Sequence, residues 1–142
     1  MIGYSASNIF TLQELELLHE VSVQVVDLPE DEHLRCHELA RAIAIFHADH
    51  PLKLTAVDGK FGLVEHSWIQ FAAGSTERGH LLDVYAVGSL PMVQLIDAWS
   101  LGLRSARQFV AGVTREDVRT DVVDQLLIAL KTRKNAPATS PV

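Results

Sequence analysis

A single cysteine, Cys36, is all the thiol this sequence has, so an intrachain disulfide is excluded and stability must come from packing. In a reducing compartment that thiol stays free. Cations are also scarce: 12 Lys and Arg stand against 18 Asp and Glu, and no basic run occurs before Lys131, Arg133 and Lys134. The basic face that neutralises phosphates is therefore missing, and nucleic acid is not an expected partner. No apolar stretch nears the ~20 residues of a membrane span, and the first residues lack a basic segment followed by an apolar one. The expected address is the cytoplasm, with no membrane partner. Aromatic residues make up only 6% of the chain, so Trp99 is read as core filling before it is read as a contact.

What is there is an ordinary globular composition, 48% apolar and 21% charged over 142 residues, enough for one domain with a real core. Residues 1–134 are read as that single α+β domain and 135–142, with Pro137 and Pro141 among small polar residues, as a flexible tail. Thr11 to Glu14 fits a capping box before Leu12, Leu15, Leu17 and Leu18, which predicts a short helix to about His19. Val21 to Leu28 alternates as a strand. From Glu30 the period changes, and Cys36, Leu39, Ala40, Ile43, Phe46 and His47 fall on one helical stripe that ends near Ala48, before His50-Pro51.

Leu52 to Val57 reads as a strand, Asp58-Gly59 as a turn, and Gly62 to Ala72 as a longer strand. Its alternation puts Val64, His66, Trp68 and Gln70 on one face and Ser67, Ile69 and Phe71 on the other. Leu81 to Val87 and Met92 to Ile96 are also strand-like, and Leu103 to Val110 fits a short helix. Thr114 with Asp117 resembles a capping pair for a last amphipathic helix carrying Val118, Val122, Val123, Leu126, Leu127 and Leu130. The expected architecture is α+β: N-terminal helices packed on an antiparallel sheet, closed by that C-terminal helix.

A two-residue II′ turn at Gly74-Ser75 would set the register between the third and fourth of these strands so that Trp68 faces Leu81 and His66 faces Asp83. Opposed residues share a face with Cβ atoms ~4.5 to 5.5 Å apart, within reach of an imidazole-to-carboxylate hydrogen bond. A slip by one residue would instead send Asp83 to the other face. Glu77-Arg78-Gly79 is the stretch able to widen that loop.

A thiol, an imidazole and a carboxylate make a nucleophile, a base and its orienter. Cys36 lies near a helix start, where a thiol pKa of ~8.5 falls toward the ~3.5 to 7.5 range. In this reading His66 takes the thiol proton and returns it to the leaving group, and Asp83 fixes the imidazole tautomer. Attack on an amide gives a thioester, resolved by water or by an amine. The backbone N–H of Cys36 is one oxyanion donor and Gln24 the candidate second; Trp68 sits beside the site as a candidate lining residue of the substrate pocket. Glu30, Asp31 and Glu32 oppose the thiolate unless they point to solvent. The chemistry calls for no cofactor and no metal.

The order of these parts resembles the transglutaminase-like branch of the papain-like cysteine peptidases. The residues that carry the resemblance are Arg35-Cys36-His37-Glu38-Leu39-Ala40-Arg41-Ala42, then Val57-Asp58-Gly59 leading to Glu65-His66-Ser67-Trp68-Ile69, then Leu81-Leu82-Asp83-Val84. The arginine-cysteine pair and the His-x-Trp strand are similar to those of the bacterial leader peptidases of lasso-peptide maturation. The resemblance implies a small papain-like core over roughly residues 24 to 88, with Cys36, His66 and Asp83 as its triad and a peptide or protein amide as substrate. The sequence departs from the pattern in lacking a glycine just before Cys36 and in its short Cys-to-His spacing, which bears on activity more than on fold.

Three other readings stand beside it. Cys36 shares the stripe of Leu39 and Ile43 and can be a core residue. A zinc site can be drawn from His33, Cys36 and His37, although Leu34 stands where a zinc-peptidase motif needs glutamate. The domain can also be an inactive interaction module, associating as a homodimer through its apolar C-terminal helix or using Trp99 and Leu101.

Overall fold

In a computed structural model of the chain, residues 34–50, 53–71, 81–87, 90–96 and 108–135 are described. Their order is α1 (Cys36–Phe46), β1 (Thr55–Phe61), β2 (Val64–Gln70), β3 (Leu81–Val87), β4 (Leu90–Ile96), β5 (Phe109–Ala111) and α2 (Thr120–Asn135). The strands form one antiparallel sheet in the order β4-β3-β2-β1-β5, which with the two helices makes a mixed α+β structure. The expected helix over 11–19, the strand over 21–28, the turn at 73–76, and residues Gln24 and His33 lie outside the described residues.

Helix α1 forms because alanines of high helix propensity alternate with Leu39 and Ile43, whose spacing lines one face. That face, Leu39, Ala40, Ala42 and Ile43, is buried. It packs on α2 and on β1, β2 and β3. Val122, Val123, Leu126, Ala129 and Leu130 of α2 meet it, and Ile69, Leu82 and Val84 supply the sheet side of this core. Each fully buried Ile or Leu contributes ~1.5 to 3 kcal/mol. The stripe expected on the last helix is thus the one that packs.

A second apolar cluster lies on the other face of the sheet, where Trp68, Leu81, Ile96 and Phe109 pack with Val57 and Phe61. The alternation of β2 explains the division: Ser67 and Ile69 face the helices, while His66 and Trp68 face the second cluster. Strands β2 and β3 pair only at Trp68↔Asp83, Ile69↔Leu82 and Gln70↔Leu81, although each strand runs further. They therefore part beyond Asp83, and the side of β2 at His66 and Ser67 that faces β3 is not covered by it.

Several boundaries differ from those expected. Asp58-Gly59 is not a turn but the middle of β1, because Asp58 is anchored by arginines and Gly59 is packed against β5. The turn falls instead at Gly62-Leu63, where Gly62 has φ +60° between the paired residues Phe61 and Val64. Helix α1 begins at Cys36 and not at Glu30, since Leu34 and Arg35 are non-helical and Arg35, with φ −108° and ψ 153°, is extended. Phe109 and Val110, expected at the end of a short helix, pair with Phe61 and Lys60 as strand β5. Helix α2 begins at Thr120, so Thr114 and Asp117 do not cap it; Asp117 bonds Arg35 and Arg115 instead. Asn135 still belongs to α2 and not to the expected tail.

Gly59 is the position where β5 can approach. A Cβ there would overlap the Val110 carbonyl oxygen and come within 2.7 Å of the Trp68 ring. Gly59→Ala is therefore expected to destabilise the fold by about 2 to 3 kcal/mol, read as a lowered urea midpoint, whereas Gly62→Ala at an open turn should lose no more than about 1 kcal/mol.

Candidate active site

Cys36 is the first residue of α1 and is half-buried. Its neighbours in space come from β2. The His66 imidazole is near enough to the Cys36 thiol to lower it, and His66 Nε2 lies 2.5 Å from Asp83 Oδ1. With Nε2 committed to the carboxylate, Nδ1 is the nitrogen left for the thiol. The structure thus brings the three expected residues, Cys36, His66 and Asp83, together around one ring.

The pairing that achieves this differs from the one expected. Asp83 stands opposite Trp68, not opposite His66, a register displaced by two residues. A shift of two keeps both side chains on the same face, so Asp83 reaches His66 along the diagonal of the ladder. Asp83 is fully buried and His66 nearly so. The imidazole is walled by Trp68, stacked at 6.2 Å, by Phe109 at 5.8 Å and by Phe61 at 6.4 Å. Trp68 is itself fully buried. It therefore positions the ring from behind and does not line an open substrate pocket as expected.

Burial alone would push the Cys36 thiol up, but hydrogen bonds with His37 and His66 and their charges outweigh it, and the thiol falls to about 6. The start of α1 adds its dipole to the same effect. For His66, burial pushes the imidazole down, yet its hydrogen bonds with Asp83 and Cys36 raise it to about 9. Between those values the stable form is a thiolate beside an imidazolium.

A second polar chain reaches Cys36 from the helix-facing side of β2. His37 Nδ1 is 3.6 Å from Cys36 Sγ and 2.6 Å from Ser67 Oγ, and the Ser67 hydroxyl donates to Asp58 Oδ1 at 2.6 Å. Arg41 grips both Asp58 oxygens, at 3.0 and 2.5 Å, and the Arg115 backbone N–H donates to Asp58 at 2.9 Å. Burial works against the Asp58 anion, but these donors hold its carboxyl at about 2. Ser67, Asp58 and Arg41 stand in the stretches that carry the resemblance, but nothing in the sequence gives them a role; a serine alternating with apolar residues is the one visible sign.

Charge near the thiol is balanced rather than left bare. Glu38, fully buried, accepts from Arg35 and from the Arg119 backbone and side chain, which hold its carboxyl below its ordinary value against burial. That cluster ties α1 to the start of α2, and Arg115 bridges Asp117 and Glu65 beside it. The acidic stretch 30–32 lies outside the described residues. So do Gln24, the candidate second oxyanion donor, and His33 of the zinc alternative; among the described residues no three His, Cys, Asp or Glu side chains are grouped to hold a metal ion.

Comparison with protein-family models, with curated proteins and with solved structures finds no match to this chain. The site is therefore read from its own geometry. No helix among the described residues is long and apolar enough to cross a membrane.

The pKa shifts fix how stability should follow pH. Cys36 drops from 9.0 to about 6, so its contribution is present above pH 9 and is lost as pH falls through 6; His66 rises from 6.5 to about 9, so its contribution is present below pH 6.5 and is lost as pH rises through 9. The two dependences oppose each other, because folding moves a proton from sulfur to nitrogen with little net uptake. Asp58 falls from 3.8 to about 2, so it stabilises above pH 3.8 and that contribution, about 2 kcal/mol, is lost as pH falls through 2. Thermal unfolding is expected to give a Tm nearly level in pH from 6.5 to 9 and falling below 4. Asp58→Asn should lower stability at pH 7 by about 3 kcal/mol, since it strands Arg41, and should make the acid limb shallower.

Proposed function

We propose that the protein is a thiol-dependent acyl hydrolase or acyl transferase acting on a peptide or protein amide, with a domain related to the transglutaminase-like branch of the papain-like cysteine peptidases. One observation carries the reading: the His66 imidazole bonds the buried Asp83 carboxylate through Nε2, and the same imidazole lowers the Cys36 thiol. The order of parts also supports it, with the cysteine at the start of α1, the histidine on β2 and the aspartate on β3.

In the resting site the Cys36 proton resides on His66 Nδ1. The thiolate attacks the carbonyl carbon of the amide, and the carbon–nitrogen bond breaks as Nδ1–H gives its proton to the departing amine. This leaves a thioester on Cys36 and a neutral imidazole. Water or an acceptor amine then attacks the thioester while His66 takes the incoming proton, releasing acid or new amide and restoring the thiolate–imidazolium pair. Throughout, Asp83 holds the Nε2–H and steadies the positive charge. The backbone N–H groups of the first turn of α1 have no partner within the helix and supply the oxyanion's donors on the Cys36 side.

The test uses a small activated acyl ester and acid quenching, followed by peptide mass analysis. An acyl group is expected on Cys36, absent in Cys36→Ala and formed roughly 10²- to 10⁴-fold more slowly in His66→Ala. Acylation of Cys36 at the same rate without His66, or none at Cys36 in the native protein, contradicts the proposal.

A further inference from the structure

His37 follows the nucleophile directly and touches it, yet the triad gives it no role. The proton count around it is closed. The Asp58 carboxylate accepts two bonds from Arg41, one from the Arg115 backbone and one from Ser67. A serine hydroxyl has one proton, and Ser67 spends it on Asp58 at 2.6 Å. Toward His37 Nδ1, also at 2.6 Å, Ser67 can therefore only accept. Nδ1 must carry a hydrogen; that single N–H is given chiefly to Ser67 Oγ, and Cys36 Sγ, 3.6 Å from the same nitrogen, takes the longer arm of a shared bond. Arg41 completes the frame, since the guanidinium that holds Asp58 also bonds the His37 carbonyl at 2.9 Å.

We infer that His37 is a second catalytic imidazole, locked by Ser67 and Asp58 in its Nδ1–H form, whose one hydrogen is shared between Ser67 Oγ and the Cys36 sulfur, so that it supports the thiolate while leaving proton transfer to His66. The inference rests on Cys36 being the nucleophile proposed above. The two imidazoles take opposite parts because their partners differ. At His66 the carboxylate takes Nε2–H and leaves Nδ1 open to receive a proton; at His37 the serine oxygen demands a proton on Nδ1 and closes that nitrogen. Ser67, Asp58 and Arg41 are positioning residues in this scheme.

Among the described residues, the charged groups around this pair are His66 from β2, Asp83 from β3, Asp58 from β1, Arg35 just before α1, Glu38 and Arg41 from α1, and Arg115 and Arg119 from the segment before α2. Glu38 is held by Arg35 and Arg119, and Asp58 by Arg41 and the Arg115 backbone, so neither presents an unopposed negative charge to the thiolate.

Long-range ¹H–¹⁵N correlation on the full chain at pH 8 reads the tautomer directly. His37 is expected to show a protonated Nδ1, the minor form for a free imidazole side chain, and Ser67→Ala should release the lock and move the proton to Nε2. An unprotonated Nδ1 in the native protein overturns the inference. A second readout is the pH profile of Cys36 alkylation by iodoacetamide. His37→Asn keeps an N–H near the Nδ1 position and should retain the profile within about twofold, whereas His37→Leu should move it upward by ~1 pH unit, a roughly tenfold loss of rate at the acid end. If both substitutions leave alkylation unchanged, or both reduce it equally, His37 is not the donor. If His66→Ala abolishes alkylation while the His37 variants behave as the native protein, this inference fails and the triad stands; if Cys36 is not alkylated near neutral pH at all, the triad fails whatever the His37 tautomer.

Discussion

The contact on which the site depends is the diagonal hydrogen bond from His66 to Asp83 across β2 and β3. A carboxyl group on a fully buried strand position, paired with Trp68, carries a desolvation cost of several kcal/mol unless something satisfies it. The imidazole does so, and its ring is thereby fixed with one nitrogen inward and the other toward the helix start. Because the strands part just beyond Asp83, β3 does not occupy the position beside His66 and Ser67, and the first turn of α1 meets β2 there. The same parting that ends the ladder admits the nucleophile.

From that arrangement a second consequence follows for β2. Adjacent residues of a strand point to opposite faces, so His66 and Ser67 belong to different cores of the molecule. Both nevertheless serve the same helical turn, His66 at Cys36 and Ser67 at His37. A slip of one residue in β2 would exchange them, putting a hydroxyl where the base must be. The backbone register and the protonation pattern are thus coupled, and the arginine pairs on Glu38 and Asp58 keep buried negative charge from cancelling the benefit to the thiolate.

The sequence made some of this legible and concealed the rest for physical reasons. The period-two pattern from Val64 to Gln70 announced the strand and placed His66 beside Trp68, because alternation reports faces directly. The partner of His66 was found with the wrong opposite residue: parity, which the pattern constrains, held, while register, which the loop between the strands decides, moved by two. Asp58-Gly59 carried the composition of a turn, yet its aspartate is held by Arg41 and by the Arg115 backbone, far along the chain, and its glycine is required by the contact with Val110. Long-range partners of that kind leave no local signature. His37 could be noticed only as a spacing partner of His33, since a tautomer is set by neighbours in space.

The thiolate–imidazolium pair is most directly tested by the absorbance of the Cys36 thiolate near 240 nm, titrated against pH in the native protein and in His66→Ala. The expected midpoint is near 6 in the native protein, moving up toward the ordinary thiol value when the imidazole is removed. A native midpoint in the ordinary range of ~8.5, unchanged by the loss of His66, would contradict it.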